Sequence, residues 1–396
     1  MPFPRVPSQI LQKMSILGEM GLKRRAVLQS FAGALSAAGL VQGAQSSSKV
    51  TDSKFAMPGL FRGKVARVAH ASPIVSNQYQ PAAIQQMMRQ GMTDLTGAPD
   101  WQSAWKLFFE PGDVVGIKVN PVGAPHVISD ATVVREIIAG LESAGVKRRD
   151  IVVYDRYRDQ FFKAGFDKWL PEGVQVSFTA KDYDDVQQSI EGVDPKHSYD
   201  PDHYMDMALV LPGQDLSNTT ARRSFAAKFI TQEVNKLINL PVLKDHQSAG
   251  VTLALKNLSH GLVNNVARSH STRSLNTCGA FIPAVVAMPA IRNKTVLNIL
   301  DGIKGVYHGG PGARPQFVWE QKAMYFATDP VALDHVCWRE IDEKRLAVGK
   351  QKLADELPDQ FSTFVRKQPE HVELAGALGL GEWAWDKINI RRSNLT

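Results

Sequence analysis

Residues 113–120 read Asp113-Val114-Val115-Gly116-Ile117-Lys118-Val119-Asn120, and residues 150–155 read Asp150-Ile151-Val152-Val153-Tyr154-Asp155. Each is a short, nearly continuous apolar run that ends in polar residues. Between them, after a loop at 121–125, residues 130–145 carry Val133, Ile137 and Leu141 on one helical face. Strands that are apolar on both faces must be covered on both faces, and an amphipathic helix between two of them is the crossover that makes them parallel. The expected fold is α/β: a mostly parallel sheet with helices on both faces and a polar site at its strand ends. Ligands of such sheets bind outside the carboxyl ends of the strands. That rule puts Lys118, Asn120, Asp155 and Arg156 at the site end.

The alternation extends in both directions. Upstream, residues 65–70 read as a strand, 81–92 as a helix with Ile84, Met87 and Met88 at helical spacing, and 101–109 as a second helix. Downstream, a helix is expected over 224–236, a strand over 237–243, a helix over 254–263 and a strand over 295–301. A glycine-rich loop over 302–315 leads to a strand at 324–327. Thr328 or Asp329 then caps a helix that has Pro330 at its first position and runs to about 346. Residues 387–390 read as a last strand. Residues 182–222 are polar and rich in Asp, Ser and Pro, an irregular excursion around one strand at 207–211. Residues 50–396 are thus expected to form a single large α/β domain.

Of 396 residues, 44% are hydrophobic, 8% aromatic and 21% charged, as in ordinary globular proteins. No fixed-period repeat or heptad run is present, and no stretch approaches the roughly 18 apolar residues of a stable membrane span. The net charge of +7 is unevenly placed. Arg5, Lys13, Lys23, Arg24 and Arg25 against Glu19 give the first 44 residues +4, which leaves only +3 for the remainder. That balance, without a nucleic-acid motif, argues against nucleic acid as a partner. Residues 23–29, Lys-Arg-Arg-Ala-Val-Leu-Gln, follow the twin-arginine pattern, and the mildly apolar stretch 30–41 with small residues at Gly43 and Ala44 completes a signal peptide over about 1–45. The expected route is export of the folded chain to the periplasm, with the twin-arginine translocase as transient partner. Proteins exported this way often load a cofactor first, a weak push toward one. Cys278 and Cys337 are the two cysteines. They are too few for an iron–sulfur cluster with four Cys ligands and could be one disulfide or two buried thiols.

Several segments resemble a known family in both content and order: GDVVGIKVNP at 112–121, INLPVLKDH at 238–246, GVTLALKNLSHG at 250–261, ILDGI at 299–303 with GGPGARP at 309–315, and ATDPVALDHV at 327–336. They are similar to the bacterial and archaeal family catalogued as domain of unknown function 362, over about residues 110–395. The resemblance implies a fold more than an activity, because the family's biochemical role is not established. Many members append a ferredoxin-like, cysteine-rich segment that this sequence lacks, so cluster-borne electron transfer is not implied.

The densest polar group is Lys244, Asp245, His246, Lys256, Asn257, His260, Arg268, His270 and Arg273. Lys244 and His246 follow directly on an apolar strand. Lys256 and His260, four residues apart, share a helix face, and their mutual repulsion would leave a neutral base near physiological pH. Lys244, His246 and Lys256 are therefore the catalytic candidates. Lys118, Asn120, Asn257, His260, Arg268, Asp301 and Asp334 are candidates for holding a substrate, with Arg268 able to clamp a carboxylate or phosphate. Lys118 at a buried strand end needs a partner, which Asp155 or Asp301 could supply; a purely structural ion pair is the alternative. The loop 307–315 could lay backbone N–H groups on an anion or serve as a turn or lid. Asp334 could orient a lysine or bind a metal. His197, Asp202 and His203, in the run His-Ser-Tyr-Asp-Pro-Asp-His, have the donor types of a zinc-like site but lie in a polar segment that suits a solvated loop equally well. The cofactor is left unknown, with a metal possible. Two functions are open: an enzyme doing acid/base chemistry on a small anionic metabolite, or a non-catalytic periplasmic protein that binds a ligand or carries a cofactor.

Overall fold

The computed structural model describes residues 53–396 except 185–186, 275 and 366–368. Strand β1, Lys64–His70, is followed by helix α1, Pro81–Thr96. The unit read from the sequence is β2, Val115–Lys118, α2, Ala131–Ser143, and β3, Ile151–Tyr154. Asp130 caps α2 by accepting a 2.7 Å hydrogen bond from Thr132 N. A short strand β4, Gln175–Ser177, comes next, then the pair β5, Tyr199–Asp206, and β6, Arg223–Ala227. The remainder comprises β7, Lys236–Asn239; β8, Val242–His246; α3, Leu253–Leu262; α4, Cys278–Val286; β9, Thr295–Val306; β10, Val318–Ala327; α5, Pro330–Ala347; α6, Glu370–Ala377; and β11, Asn389–Leu395.

The main sheet runs β11-β1-β10-β9-β7-β2-β3-β4, and β8 pairs with the distal half of β9 beyond β7. Every neighbouring pair along it is parallel except those of β10, which runs antiparallel to both β1 and β9. Alternate residues of the strands feed two cores. Val68, Ile117, Val153, Ile299 and Phe326 meet Ile84 and Met88 of α1 and Ile137 and Leu141 of α2 on one face. Tyr154, Leu237, Leu300 and Tyr325 meet Leu258 of α3, Phe281 of α4, Leu333 of α5 and Val372 of α6 on the other. Both faces are covered, so the strands need apolar side chains on both, and each fully buried aliphatic contributes about 1.5–3 kcal/mol. Among the described residues no helix is long and apolar enough to cross a membrane.

Four expectations change. Residues 224–236 begin as β6, paired with β5, and turn through a five-residue π-helix, Phe229–Glu233. Ser224, Phe225, Ala226 and Ala227 are all buried, and this packing overrides their helical tendency. The strand of the excursion is β5, not 207–211: the Met207 and Leu209 carbonyls turn instead to the Arg268 guanidinium. The single strand 237–243 is two, because Pro241 has no N–H for the ladder; Leu240 N donates to Lys118 O and Asp301 N to Pro241 O. Finally, Gly302–Val306 belong to β9 rather than to the glycine-rich loop. Cys278 and Cys337 are both free and buried. The twin-arginine segment lies outside the described residues.

Candidate functional site

Because β2, β3, β7 and β8 point the same way, their carboxyl ends share one edge of the sheet, and α3 lies across it. The strand-end residues and α3 enclose a cleft of about 230 Å³ lined by Lys118, Asn120, Lys244, His246, Lys256, Asn257 and His260 among others. That volume suits a small metabolite. Its charged lining is Lys118, Arg156, Lys244 and Lys256 against Asp155 alone.

Lys118 ends β2 and is 2% exposed. It passes under α3 only because residue 261 is glycine: a Cβ there would lie 2.1 Å from Lys118 Cε. Its ammonium donates to Asp155 Oδ1 at 2.6 Å and Val119 O at 2.5 Å, with Asn257 Oδ1 at 3.4 Å. Asn257 Oδ1 also accepts from Asn120 Nδ2 at 2.9 Å, and Asn257 Nδ2 donates to Asn239 Oδ1 at 2.7 Å. Asn239 Nδ2 continues to Asn298 Oδ1 at 2.9 Å. A ladder of buried amides thus runs from the sheet interior to the cleft, and the lysine donors fix which way each amide faces.

Lys244 is fully buried within β8. Its Nζ donates to Asn120 Oδ1 at 2.8 Å and to the Val122 carbonyl. Burial, with Lys256 nearby, pulls its pKa down to about 7. A neutral amine has two protons and one lone pair, so with both protons engaged the lone pair is the remaining valence. Lys256, on α3, is 7% exposed and forms no hydrogen bond or ion pair among the described residues. Burial lowers its pKa to about 8.

His246 Nδ1 faces the backbone N–H groups of Ser248 and Ala249 at 3.1 and 3.2 Å. Those groups only donate, so Nδ1 is the acceptor and the proton sits on Nε2. Burial, then Lys256, holds the ring well below its usual pKa. In this state His246 offers the cleft a donor rather than a base. His260 and His270 meet at Ser269 Oγ, 3.1 Å from His260 Nε2 and 3.0 Å from His270 Nδ1, and Cys278 Sγ lies 3.7 Å from the same oxygen.

α3 is held in place from outside. Asp334 accepts from Ala254 N at 2.7 Å and Leu255 N at 2.9 Å, capping the helix from α5. The turn it secures contains Leu253 at φ +45°, a conformation that costs a branched residue of order 1–3 kcal/mol. Asp329 caps α5 itself and also accepts from Gly63 N and Glu382 N.

The structure therefore brings Lys118, Asn120, Lys244, His246, Lys256, Asn257 and His260 together on one cleft. It does not bring in Arg268, Asp301 or Asp334. Arg268 spends its guanidinium on Met207 O, Leu209 O, Asn265 O and Ser224 Oγ. Asp301 accepts from Tyr79 OH, Asp130 N and Ile303 N, and burial beside Asp130 lifts its pKa to about 7; Asp155, not Asp301, pairs with Lys118. Asp334 is the α3 cap. His197, Asp202 and His203 do not converge: each histidine pairs with the aspartate three residues before it, Asp194 or Asp200, and Asp202 and His203 are exposed. The loop 307–315 is pinned, Gly310 N donating to Asp245 Oδ1 at 2.8 Å, and contributes Pro311 to the cleft wall. Arg156, Tyr157, Gln160 and His270 also line the cleft but were not among the candidate ligand-holding residues. Arg156 follows β3 as Asn120 follows β2, so the strand-end rule finds it; His270 belongs to the dense polar group of the sequence, and Tyr157 and Gln160 carry no sequence signal.

Two groups of metal-ligating side chains converge among the described residues: His260, His270 and Cys278, and His308, Glu356 and Asp359. The second is already balanced, because the Arg345 guanidinium is ion-paired to Glu356.

The profile of the family described as domain of unknown function (DUF362) matches residues 115–339. The chain belongs to this family. The matched span covers β2, the cleft, α3 and most of α5, so the DUF362 region contains the amide ladder and all three cleft lysines. No curated protein matches the chain. A protein from Thermotoga maritima with a crystal structure is similar at 10% identity and a TM-score of 0.37, over 68% of this chain. The aligned region spans 60% of that protein's length.

Proposed function

We propose that the chain is exported by the twin-arginine route and that its cleft holds a small carboxylate or phosphate metabolite, on which it does acid/base chemistry. The observation that carries this reading is Lys256: a buried cation on the cleft wall with no partner among the described residues. An ammonium stripped of water without a counter-charge is costly, and an anionic ligand is what offsets it. Lys118 is neutralised by Asp155, so it supports the site. Lys244, with its pKa near 7 and both amine protons engaged, supplies the base, and the Nε2–H of His246 donates to developing negative charge. Abstraction of a proton beside a carboxylate suits this set.

The test uses the purified full chain with inorganic phosphate and malonate as probes in calorimetry. Lys256→Met is expected to weaken binding of the preferred probe at least tenfold; equal affinity in the variant overturns the reading. For the chemistry, 2-hydroxy and 2-keto acids incubated with the protein in D2O are followed by NMR. Exchange at the carbon beside the carboxylate that vanishes in Lys244→Met supports a base, and binding without any exchange favours a non-catalytic binding protein. For export, replacing Arg24 and Arg25 by Lys should retain the chain in the cytoplasm on cell fractionation; unchanged export overturns that part.

A further inference from the structure

We infer that His260, His270 and Cys278 form a binding site for a single divalent transition metal of the zinc type in the wall of the cleft. One ligand atom from each residue lies within 4.8 Å of the other two. They come from three places in the fold, α3, the turn after it and the start of α4, so no single element's periodicity produces the convergence. Two imidazole nitrogens and a thiolate are the donor set zinc prefers, and three protein ligands leave a fourth position for a water or ligand. His260 and His270 line the cleft, so that position opens toward it.

The hydrogen bonds at this point favour the same conclusion. Ser269 Oγ donates its one proton to Val266 O at 2.7 Å. Its contacts with His260 Nε2 and His270 Nδ1 therefore have both rings as donors, while the Cys278 thiol approaches the same oxygen. The two ring N–H groups fill the lone pairs of that oxygen, and the Cys278 thiol, with the Ser269 carbonyl at 3.6 Å as its nearer acceptor, stands beside them. A tetrahedral ion with bonds of roughly 2.0–2.3 Å sets its ligands about 3.3–3.8 Å apart, so the three close in by about 1 Å and displace the hydroxyl from the middle. The thiol proton leaves to solvent on binding, and each imidazole keeps one proton on its other nitrogen. Arg156 reaches this group at the His260 backbone carbonyl, 3.2 Å away, whereas in the group of His308, Glu356 and Asp359 the Arg345 guanidinium is ion-paired to a ligand carboxylate itself. Lys256 faces the same wall, and one anion bridging metal and ammonium would balance both. Only this bridging role rests on the anion-site reading.

The metal-stripped full chain, kept reduced, is titrated with Co2+ and then Zn2+. The expected result is one Co2+ per chain, with an intense near-ultraviolet thiolate-to-cobalt band that Zn2+ abolishes. Cys278→Ser should remove the band, and His270→Ala should weaken binding at least tenfold, with thermal unfolding confirming that each variant folds. If Cys278→Ser does not fold, His270→Ala and His260→Ala carry the test. Absence of the band in the wild type, more than one equivalent without saturation, or unchanged affinity in the histidine variants overturns the inference. Lys256→Met separates the two readings. Loss of phosphate binding with Co2+ binding retained leaves both standing. Lack of Co2+ binding by a chain that still loses phosphate binding in Lys256→Met sinks the metal site alone.

Discussion

Arg268 and Lys256 are both buried cations, twelve residues apart and within one polar run of the sequence, yet their surroundings are opposite. Arg268 is surrounded by acceptors: three backbone carbonyls and the Ser224 hydroxyl, with the Phe281 ring 5.4 Å from the guanidinium. Lys256 has none among the described residues and faces the cleft. The difference separates a cation that holds the chain together from one held ready for something else. Arg268 ties the turn after α3 to β6 and to the segment after β5. Lys256 does no such work.

The contrast breaks first at Arg268. Arg268→Ala removes a charged donor from three carbonyls and a hydroxyl. It leaves Leu209 O without a donor among the described residues, while Met207 O keeps Leu209 N and Ser224 Oγ keeps Asn265 O. The substitution is expected to lower stability by about 3–5 kcal/mol in urea unfolding; a loss under about 1 kcal/mol would mean that its socket is not structural. Asp334→Ala comes next, at about 2–3 kcal/mol, because it uncaps α3 beside the strained Leu253 turn. It should also weaken phosphate binding, since α3 carries Lys256 and Asn257, and a destabilised variant with intact binding would separate the cap from the site. Third is pH. Lys244 has a pKa near 7 in the folded chain and an ordinary value of 10.5 when unfolded. Between these the unfolded chain binds the extra proton, so stability rises with pH across that window. Lys244→Met should flatten the rise, and an unchanged slope would mean that the amine is hydrated. The smallest effect sharpens the contrast most. Lys256→Met removes a buried, unpaired charge and should leave stability unchanged or raise it by about 1 kcal/mol; a loss comparable to that of Arg268→Ala would make the two cations alike.

Sequence reading succeeded where a local pattern has one physical outcome. The runs at 113–120 and 150–155 could be satisfied only by burial on both faces, and the strand-end rule then put Lys118 and Asn120 at the cleft. It failed where the outcome depends on what a distant segment offers. Nothing near Arg268 in sequence says that the Met207 and Leu209 carbonyls will meet it, so a structural cation resembled a clamp. Asp334 looked chemical because its partners, two backbone N–H groups eighty residues earlier, are invisible to pattern. His197 and His203 had metal-like spacing, but each settled on its own aspartate, whereas His260, His270 and Cys278 converge without any spacing signature.

The pairing of β1 with β11 has a consequence for how the molecule assembles. β1 lies between β11 and β10, so residues 64–70 find their two neighbours only in residues 389–395 and 318–327. The unit from β2 to β3 can close from nearby chain, but β1 must wait for segments some 250–325 residues further on. Long-range closures of this kind are slow, and an incomplete chain holds an unpaired strand edge while it waits. Pulse-labelled hydrogen exchange during refolding should therefore protect the amides of β2 and β3 before those of β1.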